Sequence, residues 1–189
     1  MKTWVLTAIV SVAAAAAPAS AATFFGATTL ASPTYNRTLA GTPPTSLSAV
    51  GTAVHYQNVA FNVGTSGSYT FLMSALVPAS WDTFLTLYAN SFNPSSPLSN
   101  ALVANDDNPS IGLSGFTINL TAGTSYFAVA TGFGNTDVGT YSLAINGPGV
   151  VNLPNAGAVQ EPATWAMMIA GFGLVGGAMR RRKVAVRFA

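Results

Sequence analysis

The stretch that decides the fold of this chain is Phe116-Thr-Ile-Asn-Leu-Thr-Ala-Gly-Thr-Ser-Tyr-Phe-Ala-Val-Ala-Thr131. Apolar and polar residues alternate up to Leu120, and an apolar-rich segment follows from Tyr126 to Thr131 after the turn residues Thr-Ala-Gly-Thr. A repeat of two places successive side chains on opposite faces of a strand. The stretch therefore predicts two antiparallel strands joined by a tight turn.

The same period of two extends along the chain on both sides of this stretch. Clusters of Gly, Asn, Asp and Pro separate the alternating segments, and no helical period occurs between residues 23 and 160. Phe24, Phe25 and Leu30 indicate a possible early strand. The sequence predicts an all-β domain, an antiparallel β-sandwich of about seven to nine strands. The further alternating segments are residues 54–56, 61–63, 69–73, 84–88 and 141–145.

The charge of the chain is divided unevenly along its length. The formal net charge is +2, yet Arg37 is the only one of the seven basic residues between positions 22 and 160. That segment contains Asp82, Asp106, Asp107 and Asp137, so it is mildly acidic. Nucleic-acid binding requires clustered Lys and Arg for phosphate contacts, and we expect no nucleic-acid partner. The absence of cysteine excludes thiolate zinc sites and thiol nucleophiles.

The sequence offers little for catalysis. His55, the only histidine, stands between Val54 and Tyr56 in a predicted strand, and we interpret it as an outward-facing strand residue rather than a general base. No nucleophile elbow, zinc-protease helix or phosphate-binding loop occurs in the sequence. We expect that the protein is not an enzyme and needs no catalytic cofactor.

One segment resembles a metal site. Asn105-Asp-Asp-Asn108 could supply oxygen ligands to calcium through Asp106 and Asp107, with Asp82 as a third carboxylate. The alternative is a plain turn, because Asp and Asn hydrogen-bond local backbone groups. Four aromatic residues could stack on sugar rings, although a place in the core suits most of them better. These are Trp81, Tyr88, Phe92 and Phe133.

The C-terminal end has three linked parts. Glu161 and Pro162 begin it, and residues 162–179 carry no formal charge. Those 18 residues would span about 27 Å as a helix, close to the thickness of a hydrocarbon core. A basic cluster follows and predicts, by the positive-inside rule, a cytoplasmic end at residues 180–189. Its members are Arg180, Arg181, Arg182 and Lys183.

This tail resembles the PEP-CTERM sorting signal in its PEPxA variety. The motif residues are Glu161, Pro162, Ala163, Thr164 and Trp165, and Gln160 replaces the first proline of the family pattern. The resemblance implies that the chain is a substrate of exosortase, a polytopic membrane cysteine protease of Gram-negative bacteria that also make exopolysaccharide.

The N-terminus is typical of a secretory signal peptide. Lys2 precedes an apolar segment at residues 4–17, and Ala19-Ser20-Ala21 fits an A-x-A cleavage site. We expect cleavage after Ala21, with Ala22 as the alternative. The predicted division is therefore a signal peptide at 1–21, a β-sandwich at 22–146, a linker at 147–160 and a sorting tail at 161–189.

The body also resembles bacterial pre-peptidase C-terminal domains, which are β-sandwich modules of secreted and surface proteins, some of which bind calcium or polymers. The similar elements are residues 61–71, 82–88, 105–108, 120–126 and 139–143. The expectation is an exported, non-enzymatic protein of the cell surface or biofilm matrix, anchored transiently in the inner membrane and processed by exosortase. Exopolysaccharide is a candidate partner. The alternative is a calcium- or carbohydrate-binding module at the cell surface.

Overall fold

The computed structural model describes residues 20–153, residue 169 and residues 171–173. Between residues 20 and 153 the chain forms ten strands. These are β1 Ser20–Ala27, β2 Thr34–Tyr35, β3 Val54–Val63, β4 Gly67–Val77, β5 Thr83–Ala89, β6 Ala101–Asn105, β7 Leu113–Leu120, β8 Tyr126–Gly132, β9 Thr140–Gly147 and β10 Val151–Asn152.

The strands form two sheets with antiparallel pairing throughout. One sheet has the order β1-β9-β4-β7, and the other has the order β10-β3-β8-β5-β6, with β2 paired to the start of β3. The predicted all-β antiparallel sandwich is confirmed. The strand count exceeds the expected seven to nine, because β2 and β10 are only two residues long and β6 has no alternating pattern to reveal it.

The main core lies between the sheets and is rich in aromatic residues. Phe61 packs on Phe71 and Tyr126, and Phe71 packs on Phe116, with ring centroids 5.1 to 5.7 Å apart. All four belong to one cluster of buried residues. Alternating side chains of β3, β4 and β9 point into this cluster, which is why the period of two predicted these strands.

Two loops cover much of the outer face of the larger sheet. Tyr35, Tyr56 and Phe92 form a triangle of edge-to-face rings with centroids 5.2 Å apart, above the buried Val54 and Tyr88. Strands β5 and β8 are consequently buried on both faces along almost their whole length.

The two ends of the sandwich are distinguished by register. The near end contains Ser20, Val63 and Tyr126, and the chain returns to it at Gly147. The far end contains Thr83 and Gly132, which pair with each other. A strand of seven residues such as β8 separates the ends by about 20 Å.

The structure bears on the predicted segment boundaries only where residues are described. Strand β1 runs from Ser20 to Ala27, so the expected cleavage site after Ala21 lies inside a strand that pairs with β9. Strand β10 lies in the segment predicted as a linker and pairs with β3. The division into four segments stays a prediction.

The terminal segments fall mostly outside the described residues. This applies to the signal peptide up to Ala19, the sorting motif at 161–165 and the basic cluster at 180–183. Ile169 and residues 171–173 are helical. Within the described part of the chain, no helix has the length and apolarity needed to cross a membrane.

Candidate functional site

The charged side chains of the body gather at the far end. Residues 20–153 contain five formally charged residues. Asp82 immediately precedes β5, and Asp106 and Asp107 follow the last residue of β6. The Arg37 Nε donates a hydrogen bond of 2.9 Å to the carbonyl of Phe133, which follows β8 directly. Asp137 lies beside Gly132. An otherwise uncharged sandwich thus has one electrically distinct end.

Three of these carboxylates converge. One oxygen from each of Asp82, Asp106 and Asp107 lies within 4.8 Å of the other two. Asp82 and Asp106 are half-buried, whereas Asp107 is exposed. The structure therefore brings together the three residues that the sequence analysis grouped as potential calcium ligands.

The loop that carries Asp106 and Asp107 is held against β7. The Ser114 hydroxyl donates to the Asp106 carbonyl and lies 2.7 Å from the Thr83 hydroxyl. The Asn105 Oδ1 accepts a 3.0 Å hydrogen bond from the Gly115 N–H, and the Asn108 N–H donates to the Leu113 carbonyl. The Asn105 side chain therefore braces the loop, and its oxygen is already engaged. This loop joins the two sheets, and these hydrogen bonds tie it to the start of β7.

Burial leaves this acidic cluster electrostatically unsatisfied. Partial burial, followed by repulsion from Asp82 and Asp107, raises the pKa of Asp106 to about 6. Burial also raises the pKa of Asp82, and Asp107 adds to that effect. The Oδ1 atoms of Asp82 and Asp106 are both shielded from solvent, and neither atom has a hydrogen-bond partner between residues 20 and 153. A hard cation has the charge and the oxygen preference that would compensate these groups.

Arg37 lies behind the cluster, and the sequence analysis did not identify it as a site residue. Its side chain is only 1% exposed, and the guanidinium carbon stands 4.1 Å from the Phe84 ring centroid and 4.5 Å from that of Phe133. Nη1 donates to the Thr38 carbonyl, whereas Nη2 has no partner within the body. Burial lowers the pKa of Arg37, and the charge of Asp106 is the largest opposing influence. The sequence signal that could have identified Arg37 is that it is the single basic residue between positions 22 and 160.

The other residues that the sequence offered as site candidates, His55 and four aromatic residues, make contacts that support the fold. His55 Nδ1 lies 2.8 Å from the Ser32 carbonyl, which makes Nδ1 the protonated nitrogen and ties the ring to the loop before β2. Trp81 and Tyr88 are buried, so neither is available to stack on a sugar. Phe92 belongs to the outer aromatic triangle, and Phe133 packs on Arg37. Trp81, Tyr88 and Phe92 thus belong to the two hydrophobic clusters, whereas Phe133 lies outside them.

Comparison with known proteins supports the sorting tail. Residues 161–183 match the family model described as the PEP-CTERM protein-sorting motif. The chain carries this motif, which implies an exported protein that is sorted by exosortase after transient membrane anchoring. Curated proteins yield no match to the sequence.

Among solved structures, the chain is similar to CBM35 from Cellvibrio japonicus Abf62. The sequence identity is 15%, and the alignment covers 71% of this chain and 99% of that one. The TM-score of 0.32 is too low for this similarity to carry any argument about function.

Proposed function

We propose that this chain is a non-enzymatic protein of the cell surface or exopolysaccharide matrix, delivered there through its C-terminal tail. The observation that carries the proposal is the match of residues 161–183 to the sorting motif. The uncharged segment and basic cluster in that tail suit a transient membrane anchor. A sandwich whose only histidine hydrogen-bonds a loop carbonyl supports a scaffold rather than a catalyst.

The distance between the body and the sorting motif is short. The last described residue of the body, Leu153, lies just beyond β10, on the half of the sandwich nearer the near end. Seven residues separate it from Glu161, and an extended chain of that length reaches at most about 25 Å. While anchored, the body would therefore be held within about 25 Å of the motif, a distance comparable with the length of the sandwich.

The test of sorting compares the protein recovered from cells with and without exosortase. We expect the intact mass to lose the tail beyond the motif only when exosortase is present, and a Pro162→Ala variant to remain anchored. A Pro154→Ala variant, changed outside the motif, serves as the matched control and should be processed normally. Retention of residues 161–189 in both strains would overturn the proposal.

The non-enzymatic part of the proposal has its own test. Exopolysaccharide incubated with the purified protein should keep its chain-length distribution, measured by size-exclusion chromatography with light scattering. Depolymerisation that requires His55 or Asp82 would show that the protein is a hydrolase.

Calcium binding at the far end is a second candidate function. The convergence of three carboxylates, two of them with shielded and unpartnered oxygens, favours it. The candidate ligands are Asp82, Asp106 and Asp107, and waters or loop carbonyls would have to complete the six to eight oxygens that calcium takes. We expect calcium to raise the thermal midpoint of the wild-type protein, and Asp107→Asn to reduce the shift. Asp137→Asn, which removes a charge outside the cluster, is the matched control. An equal midpoint in calcium and in EDTA would exclude the site.

A further inference from the structure

A small pocket opens on the outer face of the larger sheet, toward the near end. Its volume is about 300 Å³, at the lower limit of small-molecule sites. Its lining contains no charged side chain. The lining residues are Ala60, Phe61, Asn62, Ser125, Phe127, Asn152 and Leu153. We call it the amide pocket, after its two asparagines.

The register of the sheet explains how the pocket forms. Ala60 and Asn62 share the outer face of β3, because they are two residues apart, and Ala60 pairs directly with Phe127 of β8. The covering loops end before this part of the sheet, so Ala60 is exposed and Phe127 is half-exposed. A small side chain beside a partly exposed aromatic ring and Leu153 leaves a depression.

The two asparagines present complementary hydrogen-bonding groups. Asn152 is paired with Asn62 across β10 and β3, and its Nδ2 donates a 2.7 Å hydrogen bond to the Asn62 Oδ1. Both side chains are exposed. This bond leaves the Nδ2 group of Asn62 as a donor and the Oδ1 of Asn152 as an acceptor, with no further partner in residues 20–153.

That pair of groups suits adjacent hydroxyls. Each hydroxyl both donates and accepts, so two neighbouring hydroxyls can accept from Asn62 and donate to Asn152. Phe127 offers an apolar surface beside them, and Ser125 adds an exposed hydroxyl. An aromatic surface next to a few fixed polar groups is the usual composition of a small-molecule site.

We propose that the amide pocket binds a neutral hexopyranose ring of a matrix polysaccharide. Neutrality follows from the uncharged lining and from the position of the body's five charges at the other end of the sheet, about 20 Å away. This inference rests on the proposed function for its setting, because a matrix protein has to hold a polymer. It needs neither calcium nor the acidic cluster.

The experiment titrates the full-length chain, in micelles of a detergent without a sugar headgroup, with neutral oligosaccharides. The probes are cellopentaose, maltopentaose and mannopentaose, with oligogalacturonate as the charged comparison, and isothermal titration measures binding in EDTA. We expect at least one neutral probe to bind with a dissociation constant of about 1 mM or below, and oligogalacturonate to bind more weakly.

Two variants test whether the oligosaccharide binds in the amide pocket. Ala60→Ile should fill the depression at an exposed strand position that tolerates a β-branched residue, and should weaken binding by about tenfold or more. Asn152→Ala should weaken it as well. Asn119→Ile introduces the same side chain at an exposed position of the smaller sheet and should leave the affinity unchanged. Unchanged thermal midpoints in all three would show that each variant is folded.

Three results would overturn the inference. These are no binding of any neutral probe at about 10 mM, equal affinity in wild type and Ala60→Ile, or tighter binding of oligogalacturonate than of the neutral probes. The processing test reads the mass of the tail and not sugar binding, so failure of this inference is distinguishable from failure of the proposed function.

Discussion

At the near end of the sandwich the exposed polar groups include uncharged amides and a hydroxyl, whereas the far end gathers every charged side chain of residues 20–153. The near end contains Ser20, the first residue of β1, and Val151, the first residue of β10. β10 is the last strand before the sorting tail. The far end buries an arginine beneath two phenyl rings and holds three carboxylates at short range.

This difference shows how one sandwich can separate two tasks. Charge placed at the far end has a desolvation cost, so the groups there must be compensated by one another or by a cation. Neutral amides at the near end need no such compensation and can remain open to solvent. Stability and pH dependence should therefore respond to substitutions at the far end, and attachment to those at the near end.

The largest expected effect comes from removing the buried charge. Arg37→Met leaves the Phe133 and Thr38 carbonyls without their donors and removes the group packed between Phe84 and Phe133. We expect a loss of about 3 kcal/mol or more in the free energy of unfolding, measured by urea denaturation. The exposed Asn119→Ala should change it by about 0.5 kcal/mol or less. Equal stability of the two variants would show that Arg37 does not organise the far end.

A near-end hydrogen bond should matter less. The buried Tyr69 hydroxyl donates a 2.7 Å hydrogen bond to the Thr65 carbonyl in the hairpin between β3 and β4. Tyr69→Phe keeps the ring in the core and removes only this donor, so we expect a loss of about 1 kcal/mol in the same measurement. A loss as large as that of Arg37→Met would contradict the view that the near end depends little on polar contacts.

The smallest expected change in stability is a gain rather than a loss. Because the folded-state pKa of Asp106 is raised to about 6, the folded protein binds this proton more tightly than the unfolded chain does. The stability that Asp106 contributes is then fully present below about pH 4 and is lost as the pH rises through about 6. Asp106→Asn should reduce this decline and raise the thermal midpoint at pH 7 in EDTA, and solvent screening keeps the gain modest.

The check for Asp106 is a series of thermal midpoints at pH 4, 5, 6 and 7. Asp82 also has a raised pKa, so the variant should retain a weaker decline of its own. Asp107→Asn removes an exposed neighbouring charge and serves as the comparison. A wild-type midpoint that rises relative to that of Asp106→Asn between pH 4 and 6 would contradict the assigned direction of the Asp106 pKa.

Sequence analysis located the alternating strands better than the buried ones. β4 and β9 each have one face in the core, so the period of two is visible in their residues. β6 was missed because it is only five residues long and its first four residues offer no alternation. The continuous apolar run of β8 is typical of a strand buried on both faces, whereas the segments that carry Tyr35 and Phe92 and supply the cover are distant in sequence.

The same distinction applies to the candidate sites. Asp106 and Asp107 are neighbours in sequence, and Asp82 joins them because β5 pairs with β6. Arg37 was not grouped with them, because its loop crosses to Phe133, 96 residues away. The amide pocket was also missed, since Asn62 and Asn152 are 90 residues apart.

By itself, the sequence determined the β class of the body and the sorting motif, because strand alternation and a linear motif both depend on residues close together in the chain. Tertiary structure alone decided that all the body's charges share one end and that two distant amides face solvent side by side at the other. Those positions follow from the order of strands in each sheet and from the face that each loop covers, which are set by contacts between residues far apart in sequence.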